Sequence, residues 1–139
     1  MTVIDTSVIY ALLDAGDSNH LAAVEWYTAE QPVLTTTPLV LAEVDHLAGA
    51  RLGTTAQSAF RQDLANGAYD IAWWNEATQE SVAIAEKYRD LKVGLTDASL
   101  VALAARVDSS EIATFDERHF RVMRPVTGAD AFRVLPADA

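Results

Sequence analysis

Apolar and polar residues fall along this chain in blocks that switch between a strand-like and a helix-like period. Thr2-Val3-Ile4 opens as a short β-branched run that breaks at Asp5, with the hydroxyls of Thr6 and Ser7 at the turn. That is the pattern of a buried strand ending on a carboxylate. Val8 to Leu13 continues as a helix. After the Gly16-Asp17-Ser18 turn, His20 to Ala29 carries Leu21, Val24 and Tyr27 at helical spacing, with Ser18 as the expected N-cap. Val33 to Thr36 reads as a second strand. Thr37-Pro38 then starts a helix that runs to Leu52 and stops at Gly53. Its inward stripe is Val40, Val44, Leu47 and the stem of Arg51, with Glu43 on or beside it. Thr54-Thr55 caps a helix over Ala56 to Ala65, Tyr69 to Ala72 is a third strand, and a helix opens at Asn75 or Thr78 and runs through Tyr88. Thr96 caps a helix beginning at Asp97. Leu100, Val101, Leu103, Ala104, Ala105 and Val107 make that helix apolar nearly all round, which predicts deep packing. Glu111 to Thr114 is the fourth strand, and Arg121 to Met123 or Phe132 to Leu135 supplies one short edge strand. The tail after Pro136 is expected to fray.

Strands that alternate with helices imply parallel pairing with right-handed crossovers. The expected fold is therefore α/β: a three-layer α/β/α sandwich around a central, mainly parallel sheet of four or five strands. One domain over residues 1–139 accommodates it. Half of the residues are hydrophobic and 22% are charged, which suits a globular chain. There is no cysteine, so disulfides and thiolate metal sites are excluded. No secretory signal opens the chain, and the longest apolar run, near Ala98 to Ala105, is too short to span a bilayer. A cytoplasmic protein with no membrane contact is expected.

The net charge of −10 argues on its face against nucleic acid. Its distribution changes that picture. Residues 1–50 hold no Lys or Arg but seven acids, and all ten basic residues come later. Lys87, Arg89 and Lys92 precede Asp97, while Arg118, Arg121 and Arg124 follow Asp116. These six form a candidate RNA-binding patch beside the last two acids. Trp73-Trp74 is a further candidate for base stacking, although core packing or a dimer contact explains it as well.

Four acids are placed for joint chemistry. Asp5 and Asp116 each follow a buried strand, Asp97 opens an apolar helix, and Glu43 lies along a helix whose N-terminal half can face the same sheet edge. In open α/β sheets, ligands bind beyond the carboxyl ends of the strands. Each acid also has a purely structural explanation. Asp5 can cap a helix, Asp97 can complement a helix dipole, and Glu43 can reach solvent. Four carboxylates in one cleft repel one another, and a divalent cation relieves that repulsion. All-oxygen ligation suits Mg²⁺ or Mn²⁺ and, with them, phosphoryl chemistry. His20, His46 and His119 are not at a zinc-type spacing, and His20 reads as structural.

Val-Ile-Asp5-Thr-Ser, Leu-Ala-Glu43, Leu-Thr-Asp97-Ala and Ala-Thr114-Phe-Asp116-Glu-Arg-His-Phe120 together resemble the PIN-domain nucleases. With nothing appended, the chain is similar in length to the VapC-type toxins of bacterial toxin–antitoxin pairs. The resemblance covers essentially the whole chain. It implies that Asp5, Glu43, Asp97 and Asp116 form a catalytic metal site supported by Thr6, Ser7 and Thr114. It further implies a Mg²⁺-dependent endoribonuclease acting on structured RNA such as tRNA or rRNA. The implied partners are a cognate antitoxin, in a hetero-oligomer, and a second copy in a homodimer.

Other classes fit less well. A haloacid-dehalogenase-like phosphatase wants a second Asp two residues after the first, and position 7 is Ser; it also wants a mid-chain Lys, and the first half has none. A metal-free ribonuclease would need two converging histidines. A catalytically silent PIN-like protein-binding module would be expected to lack one or more of the acids, and all four are present.

Overall fold

Five short parallel strands form one sheet in the computed structural model, which describes residues 1–139. They are β1 (Thr2–Ile4), β2 (Leu34–Thr36), β3 (Asp70–Ile71), β4 (Glu111–Ala113) and β5 (Arg133–Leu135), in the order β3-β2-β1-β4-β5. β1 is central because it is apolar on both faces: Val3 and Ile4 are wholly buried between β2 and β4. The fifth strand is the Phe132 side of the two expected choices. Arg121 to Met123 instead forms a turn.

Seven helices connect the strands: α1 (Thr6–Leu13), α2 (His20–Glu30), α3 (Pro38–Leu52), α4 (Thr54–Ala65), α5 (Ala77–Lys87), α6 (Leu95–Arg106) and α7 (Glu117–Phe120). The chain advances from β1 to β2 to β3, then returns to place β4 on the other side of β1. Right-handed crossovers therefore put the helices before and after that reversal on opposite faces, giving three layers. The reversal makes the β1–β4 boundary the topological switch point, where α/β sheets hold their ligands. A core of 25 buried residues unites the layers, with α6 contributing Leu100, Val101, Leu103 and Ala104. No helix is long and apolar enough to cross a membrane.

Four local expectations are corrected. The buried face of α2 is Ala23 and Trp26, whereas Leu21, Val24 and Tyr27 are exposed, Leu21 to 73%. The helix packs on α1 through Trp26 and a small neighbour at i−3, which turns the Leu21, Val24 and Tyr27 stripe outward. Its N-cap is Asn19, not Ser18. α6 starts at Leu95 with Gly94 as N-cap, two residues before Asp97. The extended Gly94 supplies the entry, and Thr96 joins the first turn, where its carbonyl accepts from Ser99 Oγ at 2.6 Å. Finally, the tail does not fray. Asp138 N–H donates to Val134 O at 2.8 Å, and Asp138 Oδ2 accepts from Val134 N–H at 2.8 Å. The Arg121 guanidinium grips the same carboxylate through two bonds of 2.7 and 2.8 Å.

Candidate active site

Asp5 is held at the switch point by backbone register. The β1–β4 ladder pairs Ile4 with Ala113, and Asp5 N–H extends it by donating to Ala113 O at 2.9 Å. The chain then turns into α1 with Asp5 as N-cap, its Oδ1 accepting from Thr6 N–H at 2.7 Å. The capping explanation for Asp5 is thus correct, yet it uses only one carboxylate oxygen. Oδ2 accepts from the Thr114 hydroxyl at 2.8 Å. Thr114 Oγ1 in turn accepts from Asp116 N–H, and Ser7 Oγ accepts from Phe115 N–H, each at 2.9 Å. Hydroxyls from α1 and from the end of β4 therefore bind the two strand ends into one unit. The Thr6 hydroxyl is buried and has no hydrogen-bond partner.

An open cleft of about 280 Å³ lies above this unit, and Asp5, Glu43, Asp97 and Asp116 all line it. The fold thus brings the four acids together from four places: the β1–α1 turn, the exposed side of α3, the first turn of α6 and the N-cap of α7. Thr6 and Ser7 line the same cleft, while Thr114 supports it from beneath through Asp5. Tyr10 forms part of the wall, with the Arg51 guanidinium 5.3 Å above its ring.

No basic side chain lines the cleft. Burial, then the charges of Asp97 and Glu43, push the Asp5 carboxyl up to about 7, against the hydrogen bonds from Thr114 and Thr6. Burial also raises Asp97, with Asp116 adding to the shift and His119 opposing it. Such a cluster is destabilised at neutral pH unless a cation neutralises it. Clustered carboxylates beside an unpartnered hydroxyl are hard oxygen donors, and they fit a divalent ion of the Mg²⁺ or Mn²⁺ kind.

His119 is the residue the spacing did not reveal. Its Nδ1 lies 3.0 Å from Asp97 Oδ2 and 3.7 Å from Asp116 Oδ2. The signal was its position three residues after Asp116, which becomes meaningful only if that stretch is helical. α7 is a single turn of four residues, too short to show a period. His20 is structural, its Nδ1 lying 2.6 Å from Ala11 O.

The six basic residues are dispersed. Lys87 and Arg124 line a groove of about 310 Å³ with Tyr88. Arg89 lies in the 3₁₀ turn Arg89–Leu91, with Lys92 as its left-handed cap. Arg118 sits on α7 close enough to favour the ionised form of Asp97. Arg121 is engaged by Glu117 as well as Asp138, so its guanidinium is already paired. Trp73 and Trp74 both lie beyond β3. Trp73 is exposed, while Trp74 donates to Glu80 at 3.0 Å and carries Arg106 over its ring.

Comparison with known proteins agrees with this geometry. Residues 2–124 match the PIN domain family. Ribonuclease VapC26 of Mycobacterium tuberculosis is 38% identical over 135 residues, covering 96% of this chain and 99% of the relative. The fold is similar to the crystal structure of M. tuberculosis VapC20, described as a sarcin–ricin-loop-cleaving toxin. There the TM-score is 0.78 at 21% identity, over 84% of this chain and 91% of that one. It is also similar to a toxin–antitoxin complex from Klebsiella pneumoniae, with TM-score 0.67 and 21% identity over 90% and 94% of the two chains. The relatedness runs the length of the cleft-forming chain, from β1 to beyond α7, and the chain belongs to the PIN-domain family, among its VapC ribonucleases.

Proposed function

We propose that this protein is a divalent-metal-dependent endoribonuclease that cleaves structured RNA, tRNA or rRNA, as the toxin of a toxin–antitoxin pair. The observation that carries the reading is the convergence of Asp5, Glu43, Asp97 and Asp116 on one open cleft at the switch point, with no basic side chain lining it. These four residues would hold Mg²⁺ or Mn²⁺. Such an ion supplies positive charge for a phosphate and makes water a better nucleophile at neutral pH. The chain's own residues set the position. Thr6 N–H and the Thr114 hydroxyl fix both oxygens of Asp5, and Ser7 holds the Phe115 amide that leads into Asp116.

Hydrolysis by water leaves a 5′-phosphate and a 3′-hydroxyl, because the ribose 2′-hydroxyl is not consumed. Cleavage of a sarcin–ricin-loop RNA and of a tRNA pool, with end-mapping, tests this. Activity is expected with Mg²⁺ or Mn²⁺ and none in excess chelator. Activity in chelator, or 2′,3′-cyclic phosphate ends, would point instead to a metal-free histidine route. RNA approach along Lys87, Arg89, Lys92, Arg118 and Arg124 belongs to the same reading, with Arg121 contributing less because it is paired. In the same assay, charge reversal at Lys87 and Arg124 should weaken binding for all sequences and flatten the salt slope by about 0.7 per lost contact. Unchanged affinity would mark the groove as ordinary surface.

The antitoxin reading rests on a different face. Leu21, Val24 and Tyr27 form an exposed apolar stripe on α2, within the first 50 residues, which hold no Lys or Arg. An amphipathic helix with basic flanks suits such a surface. An Arg of that partner, inserted among the four acids, would pair two carboxylates where the metal is held. A homodimer is supported by a second exposed apolar group, Trp73, Val82 and Leu95, around a hollow of about 150 Å³. Native mass spectrometry of the co-expressed pair reads both points. The expected species contains two copies of this chain plus antitoxin, and Leu21→Asp with Tyr27→Asp should leave the dimer without antitoxin. Antitoxin retained by that variant would place its contact elsewhere.

A further inference from the structure

Asp97 approaches the cleft from the first turn of α6, and a single hydrogen bond from another side chain holds it there. That bond comes from His119, with Nδ1 3.0 Å from Asp97 Oδ2. Asp5, by contrast, is fixed through both oxygens. An ionised carboxylate only accepts, so Nδ1 carries the proton in this pairing. The ring itself is well anchored. The His119 side chain is 11% exposed, and its neighbours Phe120 and Met123 are each 1% exposed in the core. Phe120 packs edge-on against Phe132 at 6.2 Å, and Val122 and Met123 N–H both donate to His119 O. The core thus sets the ring, and the ring sets the carboxylate.

We propose that His119 is a positioning residue for the acid cluster: by donating to Asp97 Oδ2 it fixes that carboxylate and leaves Oδ1 available to a divalent cation. The inference rests on the four-acid metal site proposed above. Buried partners that orient metal-binding carboxylates typically change metal affinity by about 10–100-fold when removed. The alternative is direct ligation by Nδ1, since ligand atoms of Asp97, Asp116 and His119 all lie within 4.8 Å of one another. The hydrogen bond to Asp97 already occupies that nitrogen, which favours the positioning role.

The test measures binding of Mn²⁺ and of Mg²⁺ to the full chain by calorimetry, with near-ultraviolet circular dichroism to check folding. His119→Leu keeps bulk and loses the donor; it should weaken both ions by a similar factor, about 10–100-fold. His119→Asn places an amide where Nδ1 stands and should bind close to wild type. His119→Gln sets the amide one bond farther out and should behave like Leu, which keeps the test valid if the Leu variant fails to fold. Pulsed paramagnetic resonance of the wild type with Mn²⁺ should show no directly bound nitrogen. Unchanged affinity in both the Leu and Gln variants, or a bound-nitrogen signal that disappears in them, would overturn the positioning role. A wild type that binds neither ion would overturn the four-acid site itself, a distinguishable result.

Discussion

Asp5→Asn is expected to abolish RNA cleavage while making the metal-free protein more stable. Asn keeps the shape of the side chain and can still accept from Thr6 N–H, while its amide can donate to Thr114 Oγ1 in place of the bond that Asp5 accepts there. The turn into α1 therefore survives. The negative charge at the centre of the cluster does not. Its loss should weaken metal binding beyond the roughly 10–100-fold cost of losing an outer partner, and cleavage should fall with it. In metal-free buffer at neutral pH, the same change removes a buried carboxylate that burial, Asp97 and Glu43 hold at about 7. Part of that penalty should return as stability, about 1–2 kcal/mol, as other substitutions that relax a functional site do. For a chain of this size that is about 3–7 °C in Tm. Thermal denaturation with and without Mg²⁺, beside the cleavage assay, reads both halves. A variant that stays active with unchanged stability would mean that Asp5 acts mainly as a cap, since Asn caps about as well as Asp.

Metal removal should give the protein an unusually acidic stability optimum. The folded state holds the Asp5 proton up to about 7, and the unfolded chain releases it near 3.8. Between those values the folded state binds more protons, so stability falls as pH rises and levels off above about 7. Asp97 is raised in the same direction. The exposed carboxylate of Asp138 behaves oppositely: the hydrogen bonds from Arg121 and Val134 lower it to about 2, so its contribution is lost only as pH falls through the acid range. The two trends put the metal-free maximum near pH 4–5. Saturating Mg²⁺ should reverse the slope, because ligand carboxylates must be ionised to bind it. At one hundred times its Kd, an ion adds about 2.7 kcal/mol of stability. Melting curves from acid to mildly alkaline pH, with and without Mg²⁺, are expected to diverge above about 6. Parallel curves would indicate that Asp5 does not share the ion.

Much of the candidate site was legible because three of its four acids sit where local chemistry punctuates the chain. Asp5 and Asp116 break apolar β-branched runs, and Asp97 opens a nearly all-apolar helix. Strand alternation with helices, and hence the parallel sheet, followed from the same breaks. What stayed hidden depends on tertiary packing. On α2 the more aliphatic stripe faces outward, because Trp26 buries more area than Leu21 or Val24 and takes the core position. α7 has too few residues for periodicity, so His119 could not be aimed at Asp97 in advance. The six cations near Asp97 and Asp116 are neighbours in sequence, but Arg121 faces the tail and Lys87 lines a different groove.

The Thr114–Asp5 hydrogen bond joins residues 109 positions apart, and β1 has β4 as one of its two neighbours. During synthesis from the N-terminus, at about 5–20 residues per second, Asp5 therefore waits roughly 5–20 s for the strand that completes its site. The apolar stripe of α2 emerges early in that interval. A nascent chain thus displays the helix proposed to meet the antitoxin before it has an assembled cleft. On the proposed function, neutralisation would begin on the ribosome, ahead of any capacity to cut RNA.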